Sequence, residues 1–219
     1  MLEALLFDLD GTLADTDSLH LLALQQLLAA EGRDFTREEF KAHATGRANA
    51  DMCRYLFPDR TVAEHEAFAD RKEVLFRELS PTMEPLAGLT RLLDHAEQQG
   101  IGVAVVTNAP RANAVHMLKA LCLEHRLTTV VVADELERAK PDPLPYLTGL
   151  QTLGASAPSS LAFEDSVPGV TAAVAAGLYT IGLATSQTPQ ALLQAGASLV
   201  IDNFEDARLW EQIELMSAS

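Results

Sequence analysis

Near its start the chain carries the segment Leu5-Leu6-Phe7-Asp8-Leu9-Asp10-Gly11-Thr12-Leu13, in which a short apolar run ends at two acids. The apolar run predicts a strand that is buried on both faces of a parallel sheet. Asp8 and Asp10 follow at the carboxyl end of that strand, where open parallel sheets bind ligands. Two carboxylates this close repel each other unless a cation lies between them, and oxygen ligands favour Mg²⁺. Gly11 lets the backbone turn sharply, and Thr12 beside it offers a hydroxyl and an N–H, which makes it a candidate for binding the ligand. The ordinary alternative is that Asp8 and Asp10 only cap an Asp-Gly turn.

Composition narrows the class of protein. A length of 219 residues fits one large domain or a domain with an insert, and 48% hydrophobic but only 5% aromatic residues are typical of α/β proteins. The net charge of −15 argues against nucleic acid and anionic membranes as partners, and it requires any phosphate site to be locally positive. Without a basic leader or a long apolar run, we expect a cytoplasmic protein. Cys53 and Cys122 are expected to be buried thiols in a reducing compartment.

The order of predicted elements divides the chain. Residues 16–82 show helical patterns, including a capping box at Thr36-Arg37-Glu38-Glu39, and no strand pattern. From Pro85 onward, predicted helices, the first of them Leu86–Gln99, alternate with short apolar strands, which is typical of a parallel sheet covered on both faces. The sequence therefore predicts an α/β fold, a Rossmann-like three-layer core formed by residues 1–15 and 83–219. A small all-helical cap formed by residues 16–82 is inserted after the first strand.

Further polar residues follow two later strands or lie in the loop between them, namely Thr107, Asn108, Lys140, Glu164, Asp165 and Ser166. Because the carboxyl ends of parallel strands meet at one edge of a sheet, we expect these side chains to converge with the first two acids. The acids would hold a metal, the hydroxyl and amide would contact phosphate oxygens, and the lysine would supply a fixed positive charge.

At this point the sequence resembles the haloacid dehalogenase-like phosphohydrolases. Within that superfamily it resembles the branch with a small helical cap, which includes β-phosphoglucomutase and phosphoglycolate phosphatase. Four family motifs occur in the family's order: Asp8-Leu9-Asp10-Gly11-Thr12, Val105-Val106-Thr107-Asn108, Lys140-Pro141-Asp142-Pro143 and Phe163-Glu164-Asp165-Ser166. The similarity extends over the whole chain and is loosest in the cap.

The resemblance implies a role for each acid. Asp8 would be the nucleophile that forms an aspartyl-phosphate, and Asp10 would protonate the leaving oxygen and later activate water. Mg²⁺ would be held by a carboxylate oxygen of Asp8, the backbone carbonyl of Asp10, and Asp165. For Glu164 two readings stay open: it ligates the metal, as in mutase-like members, or it only lines the site.

The resemblance also implies how phosphate is held. Lys140 would neutralise charge between Asp8 and the phosphate, where the alternative is a lysine on a surface loop. Thr107 would donate a hydrogen bond to a phosphate oxygen, helped by the backbone N–H groups of Leu9 and Asn108. Ser166 would orient the metal-binding acids and cap the next helix.

Four residues of the predicted cap are candidates for binding the rest of the substrate. Gly46 and Arg47 lie in a loop between helices, where Arg47 would grip a second anionic group. Lys72 and His20 stand where the mutases carry a lysine and a histidine near the acid/base. The alternatives are an exposed arginine, an exposed lysine and a histidine satisfied within a helix.

Together these features predict a Mg²⁺-dependent phosphatase that acts on a small phosphorylated metabolite of the sugar phosphate or phosphoglycolate type, as a monomer or homodimer. A β-phosphoglucomutase-like phosphotransferase is the alternative, favoured by His20 and Lys72. The position of Arg47 and the pair Thr107-Asn108 argue against that alternative. A signalling receiver also combines acids, a lysine and Mg²⁺, but such a module needs no inserted cap.

Overall fold

The computed structural model describes residues 1–218. Its sheet has six parallel strands in the order β3-β2-β1-β4-β5-β6. The strands are β1 Ala4–Phe7, β2 Gly102–Thr107, β3 Thr129–Val132, β4 Ser160–Glu164, β5 Tyr179–Leu183 and β6 Leu199–Ile201. Because β1 lies between β2 and β4, the chemical groups that follow these three strands emerge side by side.

Residues 1–218 also form ten α-helices and two short 3-10 helices, Ala133–Glu135 and Ala157–Ser159. The α-helices are α1 Asp17–Ala29, α2 Arg37–His43, α3 Asn49–Leu56, α4 Val62–Leu79, α5 Leu89–Gln99, α6 Arg111–Ala120, α7 Leu144–Leu153, α8 Val167–Ala175, α9 Pro189–Gln194 and α10 Ala207–Ala218. The first four stand between β1 and β2, which confirms the predicted α/β core with a helical insert. The boundaries assigned to the two domains stay a prediction. Within residues 1–218, no helix has the length and apolar character needed to cross a bilayer.

Strand β1 is covered on both faces, as its apolar run predicts. Leu5 and Phe7 pack in a cluster with α5, α6 and α10, whereas Ala4 and Leu6 pack with α7 and α8. This alternation follows from the two-residue period of a strand, which sends successive side chains to opposite faces. The segment before Asp8 is therefore fixed from both sides.

The helical insert has an apolar core of its own. Leu24 and Leu28 of α1 pack in one cluster with Phe40, Met52 and Phe68 from the other three helices. Burying these side chains against each other gives the block stability that does not depend on the sheet.

Two capping boxes fix the starts of α2 and α4. The hydroxyl of Thr36 accepts from the N–H of Glu39 at 3.1 Å, and the Glu39 carboxylate accepts in return at 2.9 Å. The predicted capping box is therefore confirmed. Thr61 and Glu64 form a second one, which the sequence analysis did not identify.

Two details differ from the sequence-based expectations. Cys53 is buried, but Cys122 is exposed, so the prediction of two buried thiols is wrong for Cys122. Cys122 lies two residues after the end of α6, in a turn where its φ is 58°, and so it is not on the apolar face of that helix. Helix α5 begins at Leu89 rather than at Leu86, because Gly88 adopts a φ of 81° where its missing side chain lets Phe204 approach.

Arginine side chains cover both edge strands. Arg111 donates to the carbonyl of Val130 in β3 at 3.2 Å, and Arg208 donates to the carbonyl of Val200 in β6 at 2.9 Å. Unpaired strand carbonyls are templates for pairing with another chain, so these arginines disfavour edge-to-edge association. A monomer or a homodimer formed elsewhere on the surface stays a prediction.

An aromatic cluster lies directly beneath the strand ends. Phe7, the last residue of β1, stacks on Phe163 of β4 with ring centroids 4.8 Å apart. Phe204 packs edge-on against both rings, at 6.1 Å and 5.4 Å, and is fully buried. The cluster therefore holds together the two strands that carry Asp8 and Glu164.

We expect Phe204→Ala to lower the free energy of unfolding by about 3–5 kcal/mol, because a buried aromatic side chain is lost and the cavity cannot fully collapse. Urea denaturation checks this. Phe57→Ala is the control, because Phe57 is only partly buried and should cost less. A loss below about 1 kcal/mol at Phe204 would contradict the role given to the cluster.

Candidate active site

The turn after β1 brings the first motif against the fourth. Gly11 has a φ of 72°, and an ideal Cβ at this position would lie 2.2 Å from Oδ2 of Asp165 and 2.8 Å from the hydroxyl of Ser186. Only glycine allows both the backbone turn and this close approach. Gly11 therefore lets Asp165 reach the acids that follow β1.

Lys140 lies at the centre of the site. Its ammonium donates to Oδ1 of Asp8 at 2.6 Å, to Oε1 of Glu164 at 2.5 Å and to the carbonyl of Val106 at 2.7 Å. Burial alone would lower the pKa of Lys140, but the two carboxylates outweigh that effect and raise its pKa above the usual value. The lysine is therefore charged and fixed at all three donor positions.

Three buried acids surround this single ammonium. Oxygens of Asp8, Glu164 and Asp165 lie within 4.8 Å of one another. Burial raises the pKa of Asp8 to about 8, with Lys140 opposing the shift and Glu164 adding to it. Burial also raises the pKa of Asp165 well above its usual value, and the charges of Asp8 and Glu164 raise it further. The cluster is short of positive charge, and its donors are all oxygens, which fits a hard divalent cation such as Mg²⁺.

Glu164 makes most of its contacts with protein groups. Its Oε1 accepts from Lys140 and, at 2.6 Å, from the hydroxyl of Tyr146, while its Oε2 accepts from Ser166 at 3.2 Å. Glu164 is fully buried. These contacts show that it orients Lys140, and its role as a metal ligand stays a prediction. Tyr146 was missed because a tyrosine within an ordinary apolar helix gives no signal in the sequence.

Asp10 is held by two groups from the start of the helical insert. Its Oδ1 accepts from the hydroxyl of Thr16 at 2.8 Å and lies 2.9 Å from Nε2 of His20. Burial acts to raise the pKa of Asp10, but the charge of His20 and the two hydrogen bonds outweigh it and leave the pKa below its usual value. The His20 ring stacks on Phe76 at 3.8 Å, which fixes its plane. The structure thus places His20 beside Asp10, as predicted from the resemblance.

Thr107, the last residue of β2, and Asn108 after it line the pocket, but the side chain of Asn108 already bonds to other protein groups. The Thr107 hydroxyl accepts from the N–H of Ala109 at 2.9 Å and has its own proton to donate. The Asn108 amide donates to the carbonyls of Gly46 and Lys140, both at 3.3 Å, and accepts from the N–H of Lys140 at 3.2 Å. The Asn108 side chain therefore joins the cap loop to the lysine loop, leaving its backbone for a ligand.

On the cap side, Gly46, Arg47 and Lys72 all line the same pocket as Asp8 and Asp10. Gly46 has a φ of 69°, and a Cβ there would lie 2.3 Å from Cβ of Ser166, so the cap loop rests directly on the start of α8. Arg47 is exposed at the pocket, whereas Lys72 is buried.

Thr12 is the one predicted binding residue that the structure does not bring to the pocket. It is fully buried, it is not among the residues that line the pocket, and its hydroxyl has no hydrogen-bond partner within residues 1–218. After the bend at Gly11 the chain returns into the core, which carries Thr12 away from the acids.

One polar group at the cap was not predicted from the sequence. Glu73 of α4 is buried in the pocket wall and accepts from Lys72 at 2.7 Å, from Asn49 at 2.8 Å and from Asn113 at 2.6 Å. Asn113 belongs to α6, so these bonds join the helical insert to the core. The available signal was Asn113 itself, a polar residue on the buried face of its helix.

Gly169 provides a test of how tightly Glu164 is packed. An ideal Cβ on Gly169 would lie 1.9 Å from Oε2 of Glu164. We expect Gly169→Ala to destabilise the protein by about 1–3 kcal/mol despite the better helix propensity of alanine, because the carboxylate and Lys140 must shift. The control is Gly102→Ala, whose nearest contact would be an ordinary 3.5 Å. Thermal unfolding measures both; a neutral or stabilising Gly169→Ala would contradict the packing described here.

Comparison with known proteins identifies the family. A family model described as haloacid dehalogenase-like hydrolase matches residues 5–183. The phosphorylated carbohydrates phosphatase of Thermotoga maritima is 30% identical over 204 residues, covering 91% of this chain and 94% of that protein. The protein CbbY of Rhodobacter capsulatus is 32% identical over 194 residues, covering 82% and 84%.

A crystal structure of CbbY from Rhodobacter sphaeroides in complex with phosphate matches the fold with a TM-score of 0.84. It is 27% identical, over 94% of this chain and 96% of that one. The family model covers most of the chain and the relatives match over nearly their full length, so the chain belongs to the haloacid dehalogenase-like hydrolase family and is an enzyme.

Proposed function

We propose that this protein is a Mg²⁺-dependent phosphatase that hydrolyses a small phosphomonoester through an aspartyl-phosphate on Asp8. The observation that carries the proposal is the buried Lys140 ammonium held between Glu164 and Asp8, of which Asp8 lines the pocket. Support also comes from the relatives, one of which is named a phosphorylated carbohydrates phosphatase and another of which was crystallised with phosphate.

In the first step an oxygen of Asp8 attacks phosphorus, and the bond from phosphorus to the ester oxygen breaks. Lys140 offsets charge on Asp8 and on the phosphoryl group, and the Thr107 hydroxyl donates to a phosphoryl oxygen. Asp10 gives its proton to the leaving oxygen, so an alcohol rather than an alkoxide departs. The product on the enzyme is an acyl phosphate.

Asp10 must hold a proton before this step. Its pKa is low in the free protein, but an arriving phosphate dianion raises the pKa of a neighbouring carboxyl by repulsion. His20, whose Nε2 is 2.9 Å from Asp10, is the adjacent group that exchanges protons with it. In the second step Asp10 takes a proton from water, the water oxygen attacks phosphorus, and the carboxylate of Asp8 is released.

Mg²⁺ would be held by Asp8, Asp165 and the backbone carbonyl of Asp10, with Glu164 as a further candidate ligand. When bound, the ion supplies positive charge that stabilises the phosphoryl oxygens. The buried acids of this chain fit such an ion, because their raised pKa values reflect crowded negative charge that a cation would neutralise.

The helical insert would exclude water and choose the leaving group. The pocket lies between that insert and the strand ends, so a small soluble metabolite fits the position better than a macromolecule. We place the protein in the cytoplasm, because the exposed free thiol of Cys122 suits a reducing compartment.

Phosphate release from a panel of small phosphoesters with Mg²⁺ tests the proposal. We expect Asp8→Asn to abolish turnover, because the amide cannot form the acyl phosphate, and Asp10→Ala to lower kcat by roughly 10²–10⁴-fold. Far-ultraviolet circular dichroism of both variants checks that they remain folded. Full activity of Asp8→Asn would contradict the proposed nucleophile.

A β-phosphoglucomutase-like phosphotransferase is the second candidate. The observation that favours it is the position of His20 beside Asp10 and of Lys72 in the same pocket. In the same panel, conversion of β-glucose 1-phosphate to glucose 6-phosphate without free phosphate would select the mutase over the phosphatase.

Metal binding should depend on pH. The pKa of Asp8 is raised to about 8, so the contribution of this one group to the stability of the metal-free protein is fully present below its usual pKa and is lost as pH rises through about 8. A bound cation would neutralise the carboxylates that lose their protons as pH rises. We therefore expect Mg²⁺ to raise the melting temperature more at about pH 8 than at about pH 5.5, as measured by thermal unfolding. Asp165→Asn should remove this difference; an equal Mg²⁺ effect at both pH values would contradict the assignment.

A further inference from the structure

Opposite the acid cluster, the cap wall of the pocket carries a buried ion pair. Lys72 donates to Oε1 of Glu73 at 2.7 Å, and the side chains are only 8% and 7% exposed. A lysine in this position would favour an anionic leaving group, but its neighbour cancels that charge. The wall next to the ester therefore presents no net positive charge from this pair.

The position of the Glu73 carboxylate is fixed from three directions. Besides Lys72, the amide of Asn49 donates to its Oε1 at 2.8 Å and the amide of Asn113 donates to its Oε2 at 2.6 Å. Asn113 is oriented in turn by Arg77, which donates to its Oδ1 at 2.5 Å.

This carboxylate remains ionised throughout the working range of pH. Burial acts to raise the pKa of Glu73, but the charges of Lys72 and His20 and the hydrogen bonds lower it to about 2. Because this fixed negative charge cancels the charge of Lys72, an anion placed against the wall gains no attraction from the pair.

Thr45 supplies the other feature of this wall. It lines the pocket, it is 6% exposed, and its hydroxyl has no hydrogen-bond partner among residues 1–218. A buried hydroxyl without a partner costs free energy, which a ligand hydroxyl would recover. Arg47 is the exposed cation of the pocket, and its charge is screened by solvent.

From this arrangement we infer that the leaving group is an uncharged polyhydroxy group whose hydroxyls bond to the Glu73 carboxylate, the Asn49 amide and the Thr45 hydroxyl. Esters that carry a second anionic group next to the phosphoester are disfavoured, because Glu73 cancels the charge with which Lys72 would attract that group. The inference rests on the proposed phosphatase activity and narrows its substrate class to polyol and sugar monophosphates, away from phosphoglycolate.

Glycerol 3-phosphate and 3-phosphoglycerate test this directly, because they differ only in a hydroxymethyl group against a carboxylate. We expect the wild-type kcat/KM for glycerol 3-phosphate to exceed that for 3-phosphoglycerate by at least about tenfold. Glu73→Gln keeps the shape of the side chain and removes its charge, which leaves the charge of Lys72 uncancelled. This variant should therefore lower that ratio several-fold. Glu78→Gln, an exposed acid on the same helix, is the matched control and should leave the ratio unchanged.

A second variant does not depend on the buried ion pair. Thr45→Val removes a hydroxyl that has no protein partner, so we expect unchanged or higher thermal stability together with a lower kcat/KM for glycerol 3-phosphate relative to p-nitrophenyl phosphate. A stable Thr45→Val with unchanged relative kcat/KM would contradict the contact with a substrate hydroxyl.

Equal or faster hydrolysis of 3-phosphoglycerate by the wild type, or an unchanged ratio in Glu73→Gln, would overturn the inference while leaving the phosphatase proposal standing. Failure of the wild type to hydrolyse either ester or p-nitrophenyl phosphate would contradict the phosphatase proposal as well.

Discussion

The buried ammonium of Lys140 is the interaction on which the rest of the site depends. It joins Asp8, 132 residues away in sequence, to Glu164 in a region almost without solvent. Removing one member of such a buried set leaves an uncompensated charge, which is strongly destabilising. The sheet order makes the set possible, because β1 lies between β2 and β4 and the lysine loop ends at the same edge. Stability and chemistry thus require the same three side chains to stay together.

The two sides of the pocket differ in their charge balance. At the sheet edge, three acids and one lysine leave a deficit of positive charge that suits a cation and a phosphate together. At the cap, Lys72 and Glu73 are paired, so the wall is polar but balanced. Because the sheet edge would hold the phosphate in the proposed function, a balanced cap is suited to recognising hydroxyl groups. The protein as a whole is strongly acidic, so recognition of an anion depends on these local arrangements.

Much of the sheet and its chemical edge could be predicted from short apolar runs that stop at polar residues. The strand before Asp8 is buried in apolar surroundings on both faces, so its sequence is a continuous apolar run, which is a strong signal for a buried strand. The lysine was predicted because its motif follows the family order. Thr12 was misplaced because the chain direction after Gly11 depends on packing against Asp165, which lies far away in sequence.

Contacts between elements that are distant in sequence were the hardest to predict. Tyr146 reaches Glu164 only through the way α7 packs on the sheet, and Asn113 meets Glu73 only through the way the insert lies on the core. Neither contact produces a pattern in the sequence, because both depend on how separate elements pack in the folded protein. By contrast, helix boundaries and capping boxes are local and were largely predictable.

Trapping the covalent intermediate tests the central claim most directly. The enzyme is mixed with Mg²⁺ and an excess of a hydrolysed phosphoester, quenched in acid during steady-state turnover, digested, and analysed by mass spectrometry. The account predicts a phosphoryl group on the peptide that contains Asp8, and none in Asp8→Asn. Turnover without any phosphoryl-enzyme, or a phosphoryl group on another residue, would contradict it.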